Sequence, residues 1–339
     1  MRFVFFTDVH LLEQEESARG FEMCIESMLS HEPELLINGG DIGIPDGVIP
    51  TYREMISNVD MPVHMVNGNH EICSGWLDPK QAGEFSYSFD HSGAHFVMLD
   101  LVRAFEPTEE HPWNWYFIAD EKNLKWLEED LAGLDADVPI ILASHVPIST
   151  SFPFRMGQNV GMGFPTNEAT NAGKVLEMLS RFQNVATLHG HDHENSRHRW
   201  RHIQILTTGA VAGNWWRNGL DSPNQFGAPQ GYRVVNVNRE SGEITNRYHA
   251  FQPHQDVEIA PATRDGRRFV NVFDGGPEAS VDVKGFGRLA ALDPMSPENA
   301  RLSTHYYELP EDCPWEIDVR VEYEDGRTAG ASLLFDDTG

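Results

Sequence analysis

Short, solidly apolar runs alternate with longer stretches of helical spacing through the first two thirds of the chain. The runs "RFVFFT", "ELLIN", "PVHMVN", "HFVMLD", "PIILAS" and "NVATLH" are rich in Val, Ile and Phe and bounded by Gly, Asp or Asn, the pattern of buried strands. Between them, residues 14–30, 50–58, 120–133 and 168–182 repeat with a helical period. In "EKNLKWLEEDL" that period sets Leu124, Trp126, Leu127 and Leu131 on one broad apolar face. The β-α-β order predicts an α/β fold with helices layered on sheets.

After residue 203 the helical period stops. "IQILTTGAV", "YRVVNVN" and "EITNRYHAF" predict strands that complete a first domain over residues 1–252, with "ESG" as a turn. Beyond "QPHQD", the stretches "RRFVNVF", "ASVDVKGF", "STHYYEL" and "WEIDVRVEYEDGRTAGASLLF" alternate with period two and are separated by turn signals. They predict a small, sandwich-like all-β domain over residues 255–339. A chain of 339 residues suits this division, because single cores rarely grow beyond about 250–300 residues.

Composition narrows the function classes. No apolar run approaches the roughly 20 residues of a membrane span, and "MRFVFFTDVH" lacks a basic region and a cleavage site; a soluble, cytoplasmic protein with no membrane partner is expected. Cys24, Cys73 and Cys313 are an odd, scattered set that offers no disulfide framework. The 52 acidic residues exceed the 25 basic ones, for a formal charge of −27, and the lysines are only Lys80, Lys122, Lys125, Lys174 and Lys284. A solvated acidic face and adaptation to high salt both fit this balance. Either way such a surface repels a phosphate backbone, so long nucleic acid is not an expected partner.

The candidate chemistry sits where the apolar runs end. "LHGHDH" places His189, His191 and His193 at alternate positions; on an extended chain His191 and His193 would project toward one point. A histidine pair alone is more often a hydrogen-bonded corner than a ligand set. Four other runs end similarly: "FFTDVH" delivers Asp8 and His10, "LINGGD" delivers Asp41, "MVNGNHE" delivers Asn69 and His70, and "ILASH" delivers His145. Sites in open α/β sheets form outside the carboxyl ends of the strands, so these groups can converge on one edge. They are the mixed nitrogen and oxygen donors that transition metals accept. Gly40, Gly68 and Gly190 precede three of these segments, where close backbone approach would exclude a side chain.

In this order, D-x-H, G-D, G-N-H-E, a later His after a strand, and G-H-x-H resemble the calcineurin-like metallophosphoesterases. "TTGAVAGNWW" and "GAPQGYRVVNV" resemble a subgroup with an additional C-terminal β domain. The resemblance implies a four-layer α/β/β/α sandwich holding two metals. Asp8, His10 and His193 would bind one, Asn69, His145 and His191 the other, and Asp41 would bridge them. His70 would act on the leaving group rather than as a ligand. The ions would be divalent or trivalent Mn, Fe or Zn, and a bridging hydroxide would attack phosphorus. A carboxylate suits the bridge because it has two oxygens, and its charge offsets metal–metal repulsion. "IGIPDG" has no Asn or Arg to match a phosphate-binding position of the phosphoprotein phosphatases, and "GNHEICSGW" lacks the arginine that those enzymes place soon after the motif. The expected substrate is therefore a phosphodiester or small organic phosphate. The alternatives are a phosphomonoesterase, a nuclease, or a binding module without turnover.

Three further features bear on the site. Trp215 and Trp216 follow the last ligand segment and suit either packing or the wall of a substrate pocket. "PISTSFPFRMGQNVGMGFPT" after His145 is long enough for a lid or a plain surface excursion. His189 and "HPWNWYF" are assigned to structure and packing.

Overall fold

The apolar runs pair into two sheets. β1 (Arg2–Phe6), β2 (Leu35–Asn38) and β3 (Val63–Met65) run parallel, and β12 (Gly231–Val237) and β13 (Ile244–Ala250) extend them antiparallel in the order β13-β12-β1-β2-β3. The second sheet has the order β10 (Ser196–Trp200), β11 (Ile203–Thr207), β9 (Val185–His189), β8 (Ile140–Ala143), β5 (Ala94–Met98), β4 (Tyr87–His91). Its four inner strands are parallel and its two outer strands antiparallel. This computed structural model describes residues 1–43, 47–73, 83–105, 115–150, 169–211, 229–251, 258–264, 266–276, 278–292 and 305–335.

Side-chain alternation along each strand separates the layers. Phe3, Phe5, Leu35 and Ile37 of the first sheet pack on Phe96, Met98, Ile141, Ala143 and Leu188 of the second. The opposite face of the first sheet, with Val4, Phe6 and Leu36, meets α1 (Glu15–Leu29) and α2 (Val48–Ser57) through Phe21, Ile25, Met28 and Tyr52. On the far side of the second sheet, Ile140, Leu142 and Val185 meet α4 (Glu121–Leu131) and α5 (Ala172–Leu179) through Leu124, Leu127, Leu131, Val175 and Leu179. The layers are α/β/β/α. The carboxylate of Asp120 starts α4 by accepting the backbone N–H of Asn123 at 2.9 Å. Trp126, expected on the buried face of α4, is only partly buried and packs at the edge of the core.

β4 and β10 do not stand out in the hydrophobic pattern. "YSFDH" and "SRHRW" are the two edge strands of the second sheet, and an edge carries no need for a continuous apolar run. A short helix, α3 (Asn69–Cys73), follows β3, and a two-stranded ribbon pairs β6 (Val102–Ala104) with β7 (Trp115–Phe117).

The C-terminal strands form two antiparallel sheets. One has the order β14 (Ile259–Arg264), β15 (Arg267–Val272), β18 (Tyr306–Glu308); the other has β17 (Gly287–Leu289), β16 (Ser280–Val283), β19 (Glu316–Glu322), β20 (Thr328–Leu334). Val270, Val272, Val281, Tyr307, Ile317, Val319, Val321 and Leu333 share one core. Among the described residues no helix is long and apolar enough to cross a membrane. Trp215, Trp216 and most of the segment after His145 lie outside the described residues.

Candidate metal centre

Each candidate ligand follows the C-terminal end of a strand at the same edge of the two sheets. Asp8 and His10 leave β1, Asp41 leaves β2, Asn69 and His70 open α3 after β3, His145 leaves β8, and His191 and His193 leave β9. The turns are tied together by their backbones: Asp8 N–H donates to Gly40 O at 3.0 Å, His10 N–H to Asp41 O at 3.0 Å, and Gly190 N–H to His145 O at 2.8 Å. Parallel strands bring these ends together because their C-termini all face one way.

The backbone carries unusual conformations here. Asp8, His10, Asp41, His191 and His193 have φ of 54°, 44°, 59°, 69° and 54°, in the left-handed region that costs a residue with a Cβ on the order of 1 kcal/mol or more. β9 ends at His189, so His191 and His193 do not converge by strand alternation. Left-handed backbone at both positions sends them to the edge, each to a different cluster. The glycines permit the crowding: a Cβ at Gly68 would overlap the Asp41 carboxylate, and one at Gly190 would overlap Thr7 Oγ1 and Asp8 Oδ2.

Two clusters result. Asp8, His10 and His193 form one, and Asp41, His145 and His191 the other, each with its donor atoms within 4.8 Å of one another. In the first, His10 Nε2 and His193 Nε2 lie 2.9 Å apart, and Asp8 Oδ1 lies 3.3 Å from His193 Nε2 and 3.6 Å from His10 Nε2. Asp8 Oδ2 is turned away, accepting from Thr7 Oγ1 at 2.7 Å and from His191 N–H at 3.0 Å. In the second, His145 Nε2 faces Asp41 Oδ2 at 3.3 Å and Asn69 Oδ1 at 3.2 Å.

Asp41 lies between the clusters, but not by splitting its oxygens. Oδ1 accepts the backbone N–H of His70 at 2.8 Å. Oδ2 alone faces both groups, 3.3 Å from His145 Nε2 and 4.0 Å from His10 Nε2. One oxygen of Asp41 is exposed to both clusters while the other is held by α3.

The donor chemistry fits cations. His145 Nδ1 donates to Gly39 O at 2.8 Å, which fixes that proton and turns Nε2 toward a carboxylate oxygen. Two electron-rich atoms facing each other require positive charge between them. The protein's own titration reflects this demand: burial alone would lower His145, yet the Asp41 carboxylate raises it to about 10. Burial opposes ionisation of Asp8 and Asp41, yet the surrounding imidazoles hold both carboxyls below the usual range. Burial pushes His10 down to about 4 and His191 to about 3, leaving neutral imidazoles as a metal requires.

His70 occupies the rim. Its Nε2 lies 3.8 Å from Asp41 Oδ2, and its side chain is 18% exposed against 3% for His10 and 0% for His145. By distance, His70 groups with His10 and Asp41 as a further possible donor set. Its Nδ1 is buried without a hydrogen-bond partner among the described residues.

The sequence reading gave no role to Glu71. Its fully buried carboxylate accepts the backbone N–H of Asp41 at 2.9 Å, of Ile42 at 2.8 Å and of Gly68 at 2.5 Å. It therefore clamps the β2 and β3 turns together. Burial and the neighbouring Asp41 raise it to about 7. The available signal was an acidic residue within "GNHE", immediately followed by the apolar "IC". His189 hydrogen-bonds through Nδ1 with Ser144 Oγ and through Nε2 with Thr187 Oγ1, both at 2.9 Å, so both ring nitrogens are engaged away from the clusters. Phe117 packs edge-on against His191, ring centroids 4.6 Å apart, and Trp115 stacks on Phe117.

A model of the calcineurin-like phosphoesterase family matches residues 1–195. Among solved structures, a purple acid phosphatase from yellow lupin is 14% identical, with 76% of this chain and 52% of that one covered and a TM-score of 0.50. A dimetal phosphatase from Danio rerio is 17% identical, with 73% of this chain and 98% of that one covered and a TM-score of 0.49. No curated protein matches the chain at a significant level.

Proposed function

The chain belongs to the calcineurin-like phosphoesterases, and we propose that it is a two-metal hydrolase of small phosphate esters that prefers diesters to monoesters. The observation that carries this reading is the single oxygen of Asp41, Oδ2, facing both donor clusters. Asp8, His10 and His193 would hold one cation, Asn69, His145 and His191 the other, with Asp41 shared. When bound, two such cations, Mn, Fe or Zn, acidify water and neutralise phosphoryl charge.

The protein's own groups supply the rest. The hydrogen bond from Thr7 orients Asp8, the Gly39 carbonyl fixes the His145 tautomer, and Glu71 sets the spacing between the β2 and β3 turns. His70, at the more open rim, holds a proton where the departing ester oxygen needs one, a role suited to an imidazole. The diester preference is supported by charge. A chain of −27 penalises a monoester dianion more than a diester monoanion, and "GNHEICSGW" offers no arginine to offset it.

Metal analysis of the purified protein, with hydrolysis of bis(p-nitrophenyl) phosphate and p-nitrophenyl phosphate at low and molar salt, tests the reading. Two metals per chain and faster diester cleavage are expected. Two metals with faster monoester cleavage would reverse the substrate preference. A protein that takes up no metal would remove the proposal altogether.

A further inference from the structure

The residues directly after His193 find polar partners in the C-terminal sheets as well as in the α/β layers, where Arg197 also donates to Asn246 O of β13 at 3.1 Å. Glu194 and His305 are both fully buried, and His305 Nε2–H donates to Glu194 Oε1 at 3.0 Å. On the other side of the ring, His305 Nδ1 meets Asn271 Oδ1 of β15 at 2.6 Å. Asn195 donates its side-chain amide to Phe273 O, and Arg197 pairs with Asp274 Oδ1 at 2.6 Å. Arg233 of β12 closes the junction, donating to Asn195 Oδ1 at 2.5 Å and Asn246 Oδ1 at 2.7 Å.

This junction adjoins a strained part of the centre. His191 and His193 both hold left-handed backbone, and such conformations persist only where surrounding contacts over-determine them. Upstream, the turn is held by His191 N–H on Asp8 and Gly190 N–H on His145 O. Downstream, residues 194, 195 and 197 are held by C-terminal groups, together with Arg233 of β12 and Asn246 of β13. A buried carboxylate–imidazole pair is costly to break, because removal of one partner strands the other away from water.

We infer that the C-terminal sheets are part of the metal centre's scaffold, and that His305, through Glu194, is a positioning residue that fixes His193 for the metal held with Asp8 and His10. The inference rests on the ligand assignment proposed above. Residues that orient ligands typically change metal affinity about 10–100-fold when removed. Removal of the His305 side chain should therefore weaken one metal site and spare the other.

The test is titration of the full-length apoprotein with Co(II), followed by calorimetry and visible absorption, for the wild type, His305→Ala, His305→Gln and Glu194→Met. Two binding events in the wild type are the precondition, and their absence would sink the ligand assignment rather than this inference. The expected result is about tenfold weaker binding in one event for His305→Ala, with an altered absorption band for that site. Partial recovery is expected in His305→Gln, whose amide can still donate to Glu194. Two unchanged affinities, or equal weakening of both, would overturn the positioning role. Should His305→Ala fail to fold, Glu194→Met decides: it fills the same space while removing the acceptor for His305 Nε2–H, and unchanged Co(II) affinities in it would overturn the role equally.

Discussion

The edge that gathers the candidate ligands and the C-terminal sheets solve opposite problems. β19 reads exposed, buried, exposed along all seven residues, and Ile317, Val319 and Val321 alone enter the core. Its backbone groups pair regularly with β16 and β20. β2, β8 and β9 are instead buried at every residue. The chain that leaves them and β1 is polar and left-handed at five candidate ligand positions, four of them buried. The difference shows where a fold of this kind can carry chemistry. A one-sided sheet is stabilised by each residue's local choice of face. A crowded strand edge holds unfavourable backbone and unscreened charge only because several strands fix it at once.

The sharpest break of this contrast is Asp41→Asn. Its carboxylate faces both clusters, so metal analysis should find both sites weakened together and turnover reduced by about a thousandfold or more, in keeping with the loss of a charge-stabilising group. One site retained at full affinity would show that Asp41 is not shared. Next, His70→Ala should lower kcat by roughly 10²–10⁴-fold, the range for a general acid, while metal content stays the same. Metal loss in that variant would make His70 a ligand, as its grouping with His10 and Asp41 permits.

On the other side of the contrast, Ile317→Ala removes a buried side chain of β19 and should cost about 2–5 kcal/mol in denaturant unfolding. The metal stoichiometry of the folded fraction should not change, since Ile317 is not among the junction residues around Glu194 and His305. The smallest effect is one of acidity. Burial lowers His189 to about 3, and burial with the neighbouring His31 lowers His249 to about 3. Both folded values lie below the ordinary 6.5, so the stability from keeping these rings neutral is present above about pH 6.5 and is lost as pH falls toward 3. Melting temperature of the apoprotein should decline progressively from pH 7 to pH 4. The decline should be shallower in His249→Gln, and an identical slope would show that His249 titrates normally.

The layers were legible because burial writes itself into composition. "ELLIN", "PIILAS" and "NVATLH" could only be strands covered on both faces, and "WEIDVRVE" only a strand covered on one. The residues that gather at the edge were legible too, since each follows an apolar run and parallel strands must end on the same side. Periodicity stops where the strand stops, however. The left-handed backbone that sends His191 and His193 to separate clusters, the choice of Asp41 Oδ2 over Oδ1, and the clamp by Glu71 each depend on groups from a neighbouring segment. The link from Glu194 to His305 spans 111 positions, a distance over which no local pattern operates. The sequence by itself determined which side chains reach the edge. Only the tertiary structure decided which atom of each faces its neighbours, because that is set by hydrogen bonds between segments that meet after folding.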